Sequence, residues 1–376
     1  LENPFFFGKT VTGGCFINRQ REIRELSESL ARGQSLIIFS PRRYGKTSLI
    51  KQVMGRLKER GLLIFYFDLY RITDLDQFYR YYTRTIVSSL QSPAQKLFAI
   101  MRALIPSLKP KLVYTEPGAP SIEVEVGLET LRKTSSLQEL FDAVEKFCIK
   151  KRKKACVVFD EFQEITAIEQ GDAIEREMRA SFQHHQYVSY AFLGSRYHLM
   201  HELFNDKNRP FYHFGAHYEL DVISQSDWLP FIRHKFAAGG YEIGDQECRD
   251  IMEITRGHPY YTQLFCSTIW DLAQKHGKIA SDDIKGGLRI VLEKESHAFH
   301  ELWDCLRSDE RRLLSAIAKE PQSPAIFSND FISRHQMGSA SSLQRVVSRL
   351  QQRGLLMRKK QGYLITDPVF LRWIID

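Results

Sequence analysis

Residues 35 to 48, Ser-Leu-Ile-Ile-Phe-Ser-Pro-Arg-Arg-Tyr-Gly-Lys-Thr-Ser, decide the fold. Leu36 to Phe39 read as a short buried strand, and Leu49, Ile50, Val53, Met54 and Leu57 fall at helical spacing behind the loop. Between them the chain ends a loop in Gly45-Lys46-Thr47-Ser48. The pattern G-x-x-x-x-G-K-[ST] wraps phosphate: backbone N–H groups turn inward, the lysine reaches the β/γ oxygens, and the hydroxyl holds Mg²⁺. Ser40 stands where that pattern has its first glycine, so the consensus is imperfect. The order strand, loop, helix N-terminus is nevertheless the one required. This reading assigns Pro41, Arg42, Arg43, Tyr44, Gly45, Lys46, Thr47 and Ser48 to a nucleotide's phosphates, with Thr47 also on the metal and Lys46 also catalytic.

A second stretch completes the chemistry. Ala155-Cys156-Val157-Val158-Phe159-Asp160-Glu161 is an apolar run ending in two carboxylates, preceded by the basic run Lys150 to Lys154. An apolar strand ending in acid suits a parallel sheet, whose ligands bind beyond the strands' carboxyl ends. Asp160 is then expected to hold Mg²⁺ through water, and Glu161 to orient and deprotonate the attacking water.

Around these motifs the chain alternates as an α/β fold does. Leu62 to Asp68 predicts a strand, Leu75 to Leu90 an amphipathic helix, Tyr190 to Gly194 a fourth strand and His217 to Val222 a fifth. An insertion at about 104–135, with alternating Ile122-Glu123-Val124-Glu125-Val126, predicts a hairpin.

At 376 residues the chain should hold two or three domains. Its 43% hydrophobic and 26% charged residues are those of a soluble globular protein. No apolar run is long enough to span a bilayer. Cys15, Cys148, Cys156, Cys248, Cys266 and Cys305 lie far apart, as reduced thiols of a cytoplasmic protein would, with no zinc-type spacing. His184-His185 lacks further ligands in sequence, so a helix surface is expected rather than a metal site. The net charge of +8 permits a nucleic-acid or other anionic partner without demonstrating one.

With these residues in hand, the chain resembles the archaeal-type ATPase family, a STAND branch of the AAA+ P-loop NTPases, over nearly its whole length. Asn3 to Lys9 and Phe16 to Ile23 look like the family's N-terminal signature, which implies Phe16 and Arg19 beside the adenine. Pro41 to Ser48 matches the P-R-R-x-G-K-T-S form of the phosphate loop, and Val158 to Glu164 the acidic-strand signature. The resemblance implies ATP or ADP with Mg²⁺. It also implies a γ-phosphate sensor after the fourth strand, with Arg196 the first choice and Ser195 the alternative. Arg256-Gly257-His258-Pro259 looks like the G-x-P element of the helical lid, which implies Pro259 against the base or ribose. Relatives often carry an arginine near the fifth strand. Here Arg209 is out of register, so Arg179 or Arg209 as a trans-acting finger, and with it nucleotide-dependent oligomerisation, stays open.

From about Ser224 the pattern turns helical, with Trp228, Phe231, Ile232 and Phe236 at helical spacing. From Ser308 the order helix, short helix, helix, hairpin is that of a winged helix-turn-helix. Its third helix, Ser341 to Arg353, buries Leu343, Val346, Val347 and Leu350 and leaves Arg345 and Arg349 on other faces, while Arg358, Lys359 and Lys360 form a basic wing. That surface suits duplex DNA, and equally a regulatory arm packed on the ATPase.

The expected organisation is therefore an α/β P-loop NTPase core over 1–223, a helical lid over 224–306 and a winged helix-turn-helix over 307–376. The expected function is an ATP-hydrolysing molecular switch with protein clients and no membrane. The alternatives are an ATP-regulated DNA-binding protein of a replication, transposition or mobile-element system, and a scaffold that binds nucleotide without hydrolysing it.

Overall fold

A computed structural model describes residues 2–11, 16–17, 19–89, 109–114, 120–125, 134–273, 277–320, 325–359 and 362–376. Two compact units result: Gln20–Ser40 with Leu49–Leu220, here the sheet unit, and Leu1–Arg19, Pro41–Ser48 and Asp221–Asp376, here the helical unit. No helix among the described residues is long and apolar enough to cross a membrane.

In the sheet unit, α1 (Gln20–Ala31) precedes β1 (Leu36–Phe39), and the chain returns in α2 (Lys46–Glu59), β2 (Leu63–Asp68) and α3 (Leu75–Ser89). A hairpin of β3 (Lys109–Tyr114) and β4 (Pro120–Glu125) follows, antiparallel with Lys109 opposite Glu125. It confirms the hairpin expected in the insertion. Then come α4 (Thr134–Lys151), β5 (Ala155–Asp160), a 3-10 turn at Phe162–Ala167, α5 (Gly171–Phe182), β6 (Val188–Gly194), α6 (Tyr197–Asn205) and β7 (Ala216–Glu219).

Five strands form a parallel sheet in the order β2-β5-β6-β1-β7. β5 and β6 lie inside it and are buried along their full lengths, as strands covered on both faces must be. The pairs Phe39 with Gly194 and Phe159 with Phe192 put the carboxyl ends of β1, β5 and β6 on one edge. Aromatic residues fill the layer beneath: Phe67 stacks on Tyr82 at 4.4 Å, Phe182 on Tyr190 at 3.9 Å, and Phe159 on Phe192 at 5.6 Å between ring centroids. The fifth strand is shorter than the sequence predicts. Leu220 N–H still reaches Phe39 O at 3.0 Å, and just beyond it Asp221 Oδ1 accepts from Val222 N at 2.8 Å.

The helical unit holds α7 (Gln225–Ala238), α8 (Asp245–Thr255), α9 (Pro259–Ala273) and α10 (Ser281–Asp304). The C-terminal part follows as α11 (Ser308–Ala318), α12 (Asn329–Arg334), α13 (Ala340–Gln352), the hairpin β8 (Leu356–Lys359) and β9 (Gly362–Ile365), and α14 (Pro368–Ile375). This is the winged-helix order read from the sequence. Ser224, Ser328, Ser339 and Asp367 each cap the helix they precede by accepting a backbone N–H. One hydrophobic cluster runs from Trp228 and Trp270 through Phe299 to Leu343, Val346, Val347, Leu350 and Phe370, so the helical segment and the winged helix share a core. Phe5 joins it, 4.9 Å from Phe236, and Asn3 Nδ2 donates to Ser267 O at 3.1 Å, which fastens the N-terminal segment to α9.

Candidate functional site

At the carboxyl edge of the sheet, Asp160 is buried at the end of β5. Its Oδ2 accepts from Tyr66 Oη at 2.6 Å and its Oδ1 from the Glu161 N–H at 3.0 Å, so both oxygens are oriented. Burial and the neighbouring Asp160 charge push the Tyr66 phenol far above its ordinary pKa, so it stays a donor. Glu161 sits in the left-handed region at φ 49°. Such a conformation costs on the order of 1–3 kcal/mol and concentrates at functional sites.

Glu161 Oε2 accepts from Ser195 Oγ at 2.6 Å and from Gln163 Nε2 at 2.5 Å. Gln163 Oε1 in turn accepts the Ser195 N–H at 3.3 Å. Gly194 makes this approach feasible, because a Cβ there would lie 2.6 Å from Gln163 Oε1 and 2.3 Å from Met200 Sδ. Of the two sensor candidates, Ser195 therefore touches Glu161, whereas Arg196 begins α6 with its Nη2 3.5 Å from Glu164 Oε1. Sequence reasoning missed Tyr66 and Gln163. Tyr66 has no motif spacing to Asp160, whereas Gln163 lies within the Val158 to Glu164 signature, two positions after Glu161, and that spacing was its available signal.

Neither candidate finger arginine is idle. Arg209 pairs with Glu175 at 2.7 Å and Asp172 at 3.4 Å, with the Glu175 carboxyl pushed up to about 7 by burial despite the Arg209 charge. Arg179 Nε donates to Pro210 O at 2.9 Å, and its guanidinium lies 4.9 Å from the Phe214 ring centroid. The pair His184-His185 divides: His184 is exposed, and His185 is held between Tyr190 Oη at 2.5 Å and Asp142 Oδ1 at 3.1 Å.

In the helical unit, the loop Pro41–Ser48 follows directly on the chain from β1. Arg43 and Gly45 take positive φ, 66° and 83°, and a Cβ at Gly45 would meet nothing within 4 Å, so the backbone there borders open space. Lys46 is buried, with Nζ donating to Pro41 O at 3.3 Å, and Ser48 Oγ accepts the Val11 N–H at 3.1 Å. A left-handed loop closed on itself by a buried lysine at the start of α2 fits a bound phosphate group. Thr47 is half-buried in the first turn of α2, and Arg42 is exposed.

Arg19 lies behind this loop. It is buried, and Nη2 donates to Tyr44 O at 3.3 Å and Asp221 O at 2.8 Å, which braces the loop backbone. Phe16 and Pro259 are half-buried, Pro259 opening α9. Arg256 and Gly257 take positive φ, 50° and 71°, and end α8. Gly257 O accepts from Ile223 N at 3.2 Å and Trp228 Nε1 at 3.1 Å.

Arg43 reaches from the loop to the helical segment. Its guanidinium lies 4.3 Å from the Tyr260 ring centroid, its Nη1 donates to Tyr261 Oη at 3.4 Å, and it stands 3.9 Å from Glu295 Oε2. Tyr261 Oη donates to Asp367 Oδ2, the carboxylate that caps α14. Burial raises the Asp367 carboxyl above the usual range even though it accepts from Tyr261. Beside Arg43, the Tyr44 ring meets His258 edge-on at 4.9 Å. Burial and the Arg43 charge lower the His258 imidazole to about 3, so it is neutral at physiological pH.

The basic residues of the winged helix fall into two groups. Arg345 and Arg358 are exposed. Arg349 donates to Glu310 Oε1 and Asp309 Oδ2, both at 2.7 Å, and Lys359 Nζ to Asp221 Oδ1 at 2.8 Å, so these two are engaged within the unit. Lys360 lies outside the described residues.

A family model described as an ATPase domain predominantly from Archaea matches residues 16–265, and one described as a probable winged helix domain matches residues 297–376. By sequence, no curated protein matches. Among solved structures, the Walker-type ATPase PABY2304 of Pyrococcus abyssi superposes with a TM-score of 0.69 at 18% identity, covering 99% of this chain and 100% of that one. The Aeropyrum pernix ORC2 protein, in ADPNP–ADP complexes, gives a TM-score of 0.53 at 14% identity with 96% of each chain covered. At these identities the likeness is one of fold: an α/β P-loop NTPase core with a five-stranded parallel sheet, a helical segment and a C-terminal winged helix.

Proposed function

Because the chain belongs to the family of ATPase domains found predominantly in Archaea, we propose that it is an ATP-binding and ATP-hydrolysing switch that couples nucleotide state to its lid and winged helix. The observation supporting the coupling is Arg43. It belongs to the phosphate-binding loop, yet its guanidinium packs on Tyr260 and reaches Tyr261, which holds the helix-capping Asp367 of the winged helix. A loop that changes shape with its phosphates would move this side chain, and with it the contacts on which the C-terminal part rests.

In this reading Lys46 and the backbone of Pro41 to Ser48 hold the phosphates, with Arg42 exposed at the loop's rim, and Phe16, Arg19 and Pro259 border or brace the nucleotide pocket. Mg²⁺, when bound by Thr47 and Asp160, supplies neutralisation of phosphate charge. Glu161 takes the proton of the attacking water, held in place by Ser195 and Gln163. Arg196, exposed and joined to Glu164 at 3.5 Å, is the charge free enough to answer the γ-phosphate. The deciding experiment is steady-state ATP hydrolysis by the purified chain, with Lys46→Ala as the blank. A rate no greater than that blank would leave a nucleotide-binding scaffold.

A second reading, ATP-regulated binding of duplex DNA by the winged helix, is favoured by the exposure of Arg345 on α13 and Arg358 on the wing. Repeating the assay with duplex DNA separates the two. Strong stimulation makes the winged helix a DNA sensor, and a DNA-indifferent rate points to a protein trigger.

A further inference from the structure

At the amino ends of the sheet strands, on the edge away from Asp160, the starts of neighbouring strands carry a concentration of positive charge. Lys150 to Lys154 are five consecutive basic residues, all exposed, that round the tight turn from α4 into β5, with Arg152 in the left-handed region at φ 52°. On one side β2 begins beside them: Leu63 N–H donates to Lys154 O at 2.9 Å, and the preceding Lys58 and Arg60 are exposed. On the other side Ala155 N–H donates to Tyr187 O at 2.9 Å just before β6. Lys154 Nζ reaches Ala31 O at 3.3 Å at the end of α1, next to the exposed Arg32. With strands about 4.8 Å apart, the three spacings from β2 to β1 make a basic ridge about 14 Å long.

From this ridge we infer that the sheet unit binds the phosphate backbone of a double-stranded nucleic acid, without sequence preference, at a surface separate from the winged helix. A helix C-terminus welcomes lysines, which accounts for Lys150 and Lys151 at the end of α4. Arg152, Lys153 and Lys154 lie past that helix, and Lys154 Nζ donates to Ala31 O at the end of α1. Glu59 is an exposed acid in the ridge, and Glu28 is paired with Arg32 at 3.8 Å. The linear run of charge matches a linear polyanion, which presents one charge per roughly 1.7 Å of duplex axis. An anionic bilayer fits less well, because surface anchoring by a basic patch needs a second, apolar signal. The large exposed apolar groups at the ridge, Ile149 and Tyr187, 51% and 38% exposed, are two side chains rather than the apolar helix face or acyl chain of such an anchor. Few aromatic rings for base stacking likewise favour backbone contact over single-strand binding.

The test is fluorescence anisotropy of labelled duplex DNA and duplex RNA titrated with the full chain over a range of salt. Its companions are the triple variant Lys150→Gln/Lys151→Gln/Lys153→Gln, the single variant Arg60→Gln and the winged-helix variant Arg345→Ala/Arg358→Ala. Each lost phosphate contact should reduce the slope of log affinity against log salt by about 0.9, so the triple variant should lose up to about 2.7 and Arg60→Gln about 0.9. Basal ATP turnover should not move, since these side chains are exposed and lie away from Asp160, and the thermal midpoint should fall only by the small amount that Lys150 and Lys151 contribute at the end of α4. DNA and RNA responding alike would assign the shared phosphate backbone, and one alone would narrow it to that duplex. Unchanged slopes in both ridge variants would overturn the inference, as would complete loss of binding in the winged-helix variant. Binding of the chain to phosphatidylserine vesicles in a ridge-dependent way, with no duplex binding, would overturn it in favour of a membrane surface.

Discussion

Ser195 Oγ donates to the same oxygen of Glu161 that accepts from Gln163, at 2.6 and 2.5 Å. Two donors on one oxygen fix the side chain's rotation, which a group positioning water requires. Glu161→Gln should retain ATP binding while turnover falls by about 10²–10⁴-fold, the usual range for losing a general base. Ser195→Ala removes one charge-assisted hydrogen bond of about 1.5–3 kcal/mol, so turnover should fall by about 10- to 100-fold with nucleotide affinity little changed. Full activity after Glu161→Gln, measured at saturating ATP, would remove Glu161 from the chemistry.

Gly257 should tolerate no side chain. Its φ is 71°, and a Cβ would lie 2.4 Å from the Ile223 carbonyl oxygen, backbone that is itself bonded to the Gly257 turn. Gly257→Ala therefore combines left-handed strain with a steric clash and is expected to destabilise the helical unit by about 2 kcal/mol or more. Chemical denaturation followed by a probe in that unit measures it. Gly45→Ala is the contrast: φ is 83° but nothing lies within 4 Å, so the loss should be smaller in stability and larger in nucleotide affinity.

Much of this was legible in the sequence because the two decisive stretches are local. Residues 36–48 and 155–161 carry strand, turn and functional group within a few positions, and β1, α2 and β5 form where the apolar spacing puts them. The winged helix was readable for the same reason, through Leu343, Val346, Val347 and Leu350. What escaped depends on contacts distant in the chain. Tyr66 meets Asp160 across 94 positions, Ser195 meets Glu161 across 34, and Arg43 meets Tyr261 across 218. No periodicity announces such pairs. Arg349 shows the converse error: on a helical wheel it resembles a solvent-facing DNA contact, whereas Glu310 and Asp309, forty or so positions away, take its guanidinium.

Arg43→Ala should uncouple rather than inactivate. Lys46 and the loop backbone remain, so ATP binding should persist within a few fold, but the bridge to Tyr260, Tyr261 and Glu295 is lost. Protease protection of the C-terminal part, compared with and without ATP, should differ in the parent chain and become nucleotide-independent in the variant. Equal ATP dependence in both would show that the coupling runs elsewhere.

Within the winged helix, Arg349 and Arg345 should separate stability from binding. Glu310 is 1% exposed, and its carboxylate is held below the usual range because Arg349, the Arg307 N–H and Arg353 outweigh the effect of burial. Arg349→Ala leaves that buried charge short of its closest partner, at a cost of about 3 kcal/mol. Arg345→Ala, on an exposed side chain, should change stability by less than about 0.5 kcal/mol. Urea midpoints of the two variants decide it, and similar midpoints would mean that the Glu310 pair contributes little.

His258 makes the helical unit acid-sensitive at a pH where carboxylates are still charged. Its imidazole is lowered to about 3 in the folded protein, first by burial and then by the Arg43 charge, against about 6.5 in an unfolded chain. The folded pKa is depressed, so the neutral form's contribution is complete above about 6.5 and is lost as pH falls, because the unfolded chain takes up a proton the folded one refuses. The slope is up to about 1.4 kcal/mol per pH unit, which amounts to about 2 kcal/mol between about pH 7 and about pH 5. In His258→Gln, whose amide does not titrate, this component disappears and the acid loss between the two pH values should shrink by about 2 kcal/mol. An equal acid loss in parent and variant would place the sensitive group elsewhere, with the raised Asp367 carboxyl excluded by its opposite sign.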